Sequence, residues 1–172
     1  VVVLDRAYEP LRLSGACSLG AEALSQVWQM YSPNKALGMT GVRGAYAIAP
    51  LKGLPLAQTL AALAPSWPLG AYAVAMLTAW IEPEARQWLA GSRGQLALWK
   101  QAQIALLDDA GWRCLASDAN YFCARAPQDF DEVLGVARLR ESGIKLRETT
   151  SLGLPGHWRL SVQPQQAQRA LL

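Results

Sequence analysis

Apolar and polar positions along the chain follow two rhythms, and the places where one gives way to the other mark the elements. Residues 1–4 are an unbroken β-branched and apolar run closed by Asp5, the pattern of a parallel strand covered on both faces. A short polar-to-apolar approach from Glu22 leads into a second strand over residues 27–31, and residues 44–49 read as a third, closed by Pro50. Between the last two lies SPNKALGMTGVRG, a loop punctuated by glycine and proline. The rhythm then turns helical. Residues 54–63 carry apolar side chains at helical spacing, Pro65 and Pro68 interrupt them, and residues 70–81 predict a helix that is apolar almost all round and therefore buried. Pro83 suits the first turn of a further helix from Glu84 to about Ala110, with bends expected near Gly91 and Gly94 and a C-cap at Gly111.

Past Trp112 short strands return. Residues 113–115 and 121–124 flank the polar stretch Ser117-Asp118-Ala119-Asn120. Asp129 is the expected N-cap of a helix to about Ser142, with Glu132 at the capping-box position and Gly143 closing it. Strands follow over residues 144–147 and 158–162, and a last helix over residues 164–172. The pattern predicts an α/β chain with a boundary inside the long helix, dividing residues 1–90 from a small C-terminal α/β domain over residues 91–172. In HWRLSV, alternation puts Trp158, Leu160 and Val162 on one face and His157, Arg159 and Ser161 on the other.

Composition narrows the classes. A 172-residue chain that is 52% hydrophobic and 17% charged is a folded globular one. The net charge of +3 is small and the sixteen Lys and Arg are scattered, which argues against a nucleic-acid partner. Cys17, Cys114 and Cys123 have no paired spacing, so inert buried thiols in a reducing cytoplasm are expected, and the single histidine, His157, reads as a surface residue; no metal site is expected. The seven tryptophans are read as core or interface packing. Residues 67–81 form the longest apolar stretch, short of the roughly 20 needed to span a bilayer. Residues 1–4 are too short for a signal sequence, and a start inside a strand without Met suggests a fragment of a longer polypeptide.

The candidate chemistry lies where the first strands end. Asp5 closes the first strand and Tyr8 follows three residues later; Ser32 and Lys35 follow the second strand, and Arg43 comes after Gly41. Ligands of open α/β sheets collect beyond the carboxyl ends of strands. Taken singly, Lys35 reads as a solvated loop lysine, Asp5 as a turn carboxylate and Tyr8 as a packing residue. Together they offer an amine, a carboxylate, a phenol, a hydroxyl and a guanidinium in an order that suits one site.

These residues also carry a resemblance. VVVLDRAY is similar to the strand and Asp-x-x-Tyr segment of fold-type I enzymes that use pyridoxal 5′-phosphate, and Ser32-Pro33-Asn34-Lys35 with Gly41-Val42-Arg43 resembles their S-x-x-K…G-x-R signature. The interval from Asp5 to Lys35, Ser117-Asp118-Ala119-Asn120-Tyr121, and the closing stretch around Gly143–Arg147 and Leu154–Ser161 resemble the histidinol-phosphate aminotransferase branch, whose close relatives include the threonine-phosphate decarboxylases of cobalamin biosynthesis. The resemblance covers nearly the whole chain. It implies the C-terminal part of a cofactor-binding large domain followed by a small domain, and a homodimer as the complete enzyme. It implies that Lys35 forms the Schiff base with pyridoxal 5′-phosphate and then moves the substrate α-proton. Asp5 would pair with the pyridine nitrogen, Tyr8 would bond the 3′ oxygen, and Ser32 and Arg43 would hold the phosphate. Arg159 would take a substrate α-carboxylate in a bidentate fork, with Asn120 and Arg147 as further substrate-binding residues. The substrate would be an amino acid or amino-phosphate, with an amino group passed to a 2-oxo acid. The alternatives are a decarboxylase acting on threonine phosphate and a non-catalytic fragment or dimerisation domain.

The chain departs from the family pattern at Asn34, where Ser or Thr is usual, and at Pro33 and Gly44. The family's phosphate loop, its ring-stacking aromatic and its asparagine precede the Asp strand and have no counterpart in this stretch of sequence, so the chain alone is expected to hold only part of a site.

Overall fold

The computed structural model describes residues 1–171. They divide into two compact units, Val1–Gly91 and Ser92–Leu172.

The first unit contains a three-stranded sheet in the order β1 (Val3–Asp5), β2 (Trp28–Tyr31) and β3 (Tyr46–Ile48). β1 runs parallel to β2, with Asp5 opposite Met30, and β3 runs antiparallel to β2. A single turn at Glu9–Leu11 and the short α1 (Ala21–Leu24) carry the crossover from β1 to β2. After β3 come α2 (Leu54–Leu63), α3 (Ala71–Trp80) and the long α4 (Pro83–Asp109). α4 runs continuously through Gly91 and Gly94.

Two expectations about burial fail here. The apolar run at the start is not covered on both faces: Val1, Val2 and Val3 are 94%, 66% and 54% exposed. α3 is not a buried helix either. Only Ala73 and Met76 are buried on it, whereas Tyr72 and Val74 face outward. Uniform apolarity says which residues tolerate burial; it does not supply the neighbours that would bury them.

The second unit is a four-stranded antiparallel sheet in the order β4 (Arg113–Cys114), β5 (Tyr121–Arg125), β7 (Trp158–Ser161), β6 (Arg147–Glu148). α5 (Glu132–Glu141) lies between β5 and β6 in sequence, and α6 (Gln165–Arg169) follows β7. The alternation in HWRLSV is realised. Trp158, Leu160 and Val162 are buried, and they join Leu107, Trp112, Phe122, Ala124 and Leu146 in one core. The opposite face of β5 and β7 carries Tyr121, Cys123, Arg159 and Ser161, paired across the strands.

Local boundaries shift for identifiable reasons. The N-cap of α5 is Asp131, not Asp129: Asp131 Oδ1 accepts from the backbone N–H of Val133 and Leu134 at 2.9 and 2.8 Å. Glu132 is therefore the first helical residue and cannot close a capping box. The strand expected over residues 144–147 shortens and slides to Arg147–Glu148, because Ile144 N–H is taken by Leu139 C=O at 2.7 Å as the helix ends. α6 ends at Arg169, and Leu172 lies outside the described residues. The thiols are free and half-buried, and burial pushes the Cys114 thiol up to about 11, which keeps it protonated at neutral pH. Among the described residues, no helix is long and apolar enough to cross a membrane.

Candidate active site

The first unit assembles its polar residues at the carboxyl ends of two adjacent parallel strands. β1 ends in Asp5, whose Oδ1 accepts from Ala7 N–H at 2.8 Å and so starts the turn. Arg6 N–H bonds Met30 C=O at 2.7 Å, and Glu9 N–H bonds Arg6 C=O at 3.1 Å. Tyr8 is thereby placed on the outer side of the turn, ahead of buried Leu11. β2 ends at Tyr31, and the chain enters a tight turn that carries Lys35.

That turn is the best-fixed part of the site. Leu37 N–H bonds Pro33 C=O at 2.9 Å, and Met39 N–H bonds Asn34 C=O at 2.7 Å. Pro33, Asn34 and Ala36 are buried, while Lys35 alone points out. Its ammonium lies 5.2 Å from the centre of the Tyr8 ring. Lys35 and Tyr8, 27 positions apart in sequence, are thus brought together.

Asn34 and Gly44, the departures from the usual pattern, have structural reasons. The Asn34 side chain does not face outward with Lys35. Its Oδ1 accepts from the Ser32 hydroxyl at 2.7 Å, and the same hydroxyl lies 3.2 Å from Gly44 C=O. Gly44 sits where a Cβ would meet Met76 Cε at 3.0 Å and Ala73 Cβ at 3.1 Å, so any larger residue would force those side chains of α3 to shift. Ser32 thus ties the lysine turn to the loop that presents Arg43. Arg43 is exposed and makes no hydrogen bond or ion pair within the described residues.

A network that sequence reasoning missed braces the floor. Arg6 donates to Gln29 Oε1 at 2.7 Å, lies over the Tyr31 ring at 5.3 Å and pairs with Glu9 at 3.2 Å. Arg12 reaches the other Glu9 oxygen at 3.0 Å, and that hydrogen bond is the main reason the Glu9 carboxyl sits below its ordinary value of 4.5. Tyr31 stacks on Tyr46 at 5.3 Å, and burial raises its phenol above 10. A regular spacing of Arg6, Glu9 and Arg12 along a turn was the available signal.

The substrate-side candidates form a separate group in the second unit. Arg159 on β7 is half-buried, stands opposite Cys123 on one side and Arg147 on the other, and its guanidinium lies 4.1 Å above the Tyr121 ring. That distance is within cation–π range of the ring. Arg147 is exposed on the edge strand β6. Asn120 precedes β5; its C=O accepts from Val162 N–H at 2.9 Å, and its buried Oδ1 has no hydrogen-bond partner. Lys100, also missed from sequence, holds this turn from below. Its buried ammonium donates to Ser117 C=O and Ala119 C=O, and burial lowers its pKa below the usual 10.5.

With this geometry in hand, comparison with known proteins is direct. The family model for class I and II aminotransferases matches residues 1–171, and the chain belongs to that family. Its members depend on pyridoxal phosphate. Among individual relatives, the chain is 29% identical over 162 residues to histidinol-phosphate aminotransferase 2 of Rhizobium meliloti, a match covering 94% of this chain and 45% of that protein. Aspartate aminotransferase from Thermus thermophilus with maleate superposes with a TM-score of 0.77 at 25% identity, over 98% of this chain and 46% of that one. A decarboxylase from Sulfurospirillum multivorans shares the fold, with a TM-score of 0.79 at 17% identity over 98% of this chain and 50% of that one. The chain therefore spans about half the length of the relatives it matches.

The residues present fit the cofactor as far as they go. Lys35 supplies an exposed amine on a rigid turn, Asp5 a carboxylate with one oxygen uncommitted, and Arg43 an unpaired guanidinium for a phosphate. The Ser32 hydroxyl hydrogen rotates freely and can turn from Asn34 to an incoming oxygen.

Proposed function

We propose that this chain is the lysine-bearing half of a pyridoxal-phosphate-dependent aminotransferase whose substrate is an amino acid or amino-phosphate and whose acceptor is a 2-oxo acid. The observation that carries this reading is the Lys35 turn: one exposed lysine between buried neighbours, facing Tyr8, at the strand ends that also bear Asp5. In this reading residues 1–90 are the C-terminal part of a large domain and residues 91–172 the small domain of a cytoplasmic homodimer.

When bound, pyridoxal phosphate supplies a conjugated ring that accepts electron density from the substrate Cα. The chain's own residues do the rest. Asp5 would keep a proton on the ring nitrogen by placing a negative charge beside it. Tyr8 would donate to the 3′ oxygen. Ser32 and Arg43 would hold the phosphate, the arginine by a fork that matches oxyanion geometry. The Lys35 amine would hold the cofactor and, with substrate bound, act as the base that moves the α-proton. Arg159 would hold the substrate carboxylate, with Asn120 and Arg147 as further substrate-binding residues.

The test is product analysis with the complete polypeptide, pyridoxal phosphate and either histidinol phosphate with a 2-oxo acid or threonine phosphate. Transfer of the amino group, lost in Lys35→Ala, is the expected result. Release of carbon dioxide from threonine phosphate would instead select the decarboxylase, and no turnover of amino compounds by a cofactor-loaded protein would overturn both.

A further inference from the structure

A second cationic pair lies in the second unit, on β4 and at the end of β5, two positions along from Cys123, which faces Arg159. β4 and β5 place Arg113 directly opposite Arg125. Like charges directly opposite each other across a strand pair are destabilising. Ordinarily a nearby carboxylate offsets that cost. Here both arginines are exposed, and neither makes an ion pair or side-chain hydrogen bond within the described residues. They border a cleft of about 630 Å³, within the size range of small-molecule sites.

The cleft's other walls have mixed chemistry. Pro127 and Phe130 give it an apolar side, and Gln128 adds an amide. Gly156 lies against Arg125: a Cβ there would stand 3.9 Å from the Arg125 guanidinium. That is ordinary contact, and the glycine is required by its backbone at φ +71°. Glu132, the first residue of α5, also lines the cleft without pairing with either arginine.

We propose that the Arg113–Arg125 cleft is a binding site for a small organic anion, one that places a phosphate or carboxylate between the two guanidinium groups and an apolar portion against Phe130 and Pro127. Two forks converging on one oxyanion neutralise the repulsion across the strands and give the pair a partner. Glu132 opposes the bound anion and keeps affinity moderate. The site requires nothing of Lys35 or Arg159, so it stands whether or not the assigned chemistry does.

The experiment is an NMR titration of the 172-residue chain, following the arginine Nε–Hε signals, with inorganic phosphate and with succinate, each against sodium chloride at matched ionic strength. Saturable shifts at Arg113 and Arg125 are expected, with the same dissociation constant at both. Phosphate alone, or succinate alone, producing them would fix which oxyanion the site takes. Arg113→Gln and Arg125→Gln should each weaken binding about tenfold, the loss of one charge-assisted fork, and Glu132→Gln should strengthen it. These residues are exposed, so the backbone spectrum should stay intact and serve as the fold check. Shifts no larger than those from chloride, or shifts that persist unchanged in the double variant, would overturn the proposal.

Discussion

The two units solve the burial problem differently. In the second, Phe122, Leu107 and Leu160 are almost wholly enclosed, and large side chains from the sheet, α4 and the turn at Trp112 meet in one core. In the first, the buried hydrophobics are three alanines, Ala7, Ala36 and Ala73, with Leu11, Met76 and Leu89, while Leu51, Leu63, Trp67 and Tyr72 remain exposed. The unit that carries Lys35 is therefore the less self-sufficient one. It positions its functional residues by hydrogen-bonded turns instead of by a deep core, which is why the Ser32–Asn34–Gly44 contacts matter there.

The comparison can be broken at the second unit's core. Phe122→Ala should destabilise that unit by roughly 3–5 kcal/mol, the usual cost of emptying an aromatic site, and hydrogen exchange should show β5 and β7 falling from the most to the least protected strands. Exchange in the unaltered chain should first rank β5 and β7 above β1 and β3.

Smaller effects sharpen the contrast. Gly44→Ala should cost about 1–3 kcal/mol through overpacking against Met76 and Ala73, read as a lower urea midpoint for the first unit alone. Lys100→Met should cost about 1–3 kcal/mol in the second unit by stranding the carbonyls of Ser117 and Ala119. Asp131→Ala should remove about 1 kcal/mol with the α5 cap.

The smallest effect is a pH dependence of the first unit. The Arg12 hydrogen bond depresses the Glu9 pKa in the folded state, so folded protein binds fewer protons there than unfolded protein does. The resulting stability is complete above the ordinary value of 4.5 and fades as pH falls through the lower folded value. Glu9→Gln should flatten that part of the acid unfolding curve, and an unchanged curve would remove Glu9 from the account.

The sequence disclosed most of the elements and which polar residues gather at the ends of β1 and β2, and it failed where neighbours decide the outcome. Alternation in HWRLSV predicted the buried face of β7 correctly because a strand buried on one face carries its own record of which side is in. The uniform apolarity of residues 70–81 carried no such record, and α3 proved largely exposed. Asp129 and Asp131 are two residues apart and both can cap; only the backbone geometry selects Asp131. The Lys35–Tyr8 contact follows from strand order, since parallel neighbours bring their carboxyl ends to the same edge. By contrast, Lys100 under the Ser117 turn has no sequence signal beyond its place in an apolar helix stretch, and the Arg113–Arg125 pairing depends on a register that only the fold fixes.

The central claim is that Lys35 is the cofactor-bearing lysine. Borohydride reduction of the complete polypeptide incubated with pyridoxal phosphate, followed by peptide mass mapping, is the test. A pyridoxyl adduct at Lys35, in preference to Lys52, Lys100 and Lys145, is expected. Equal labelling of the exposed lysines, or none at Lys35, would contradict it.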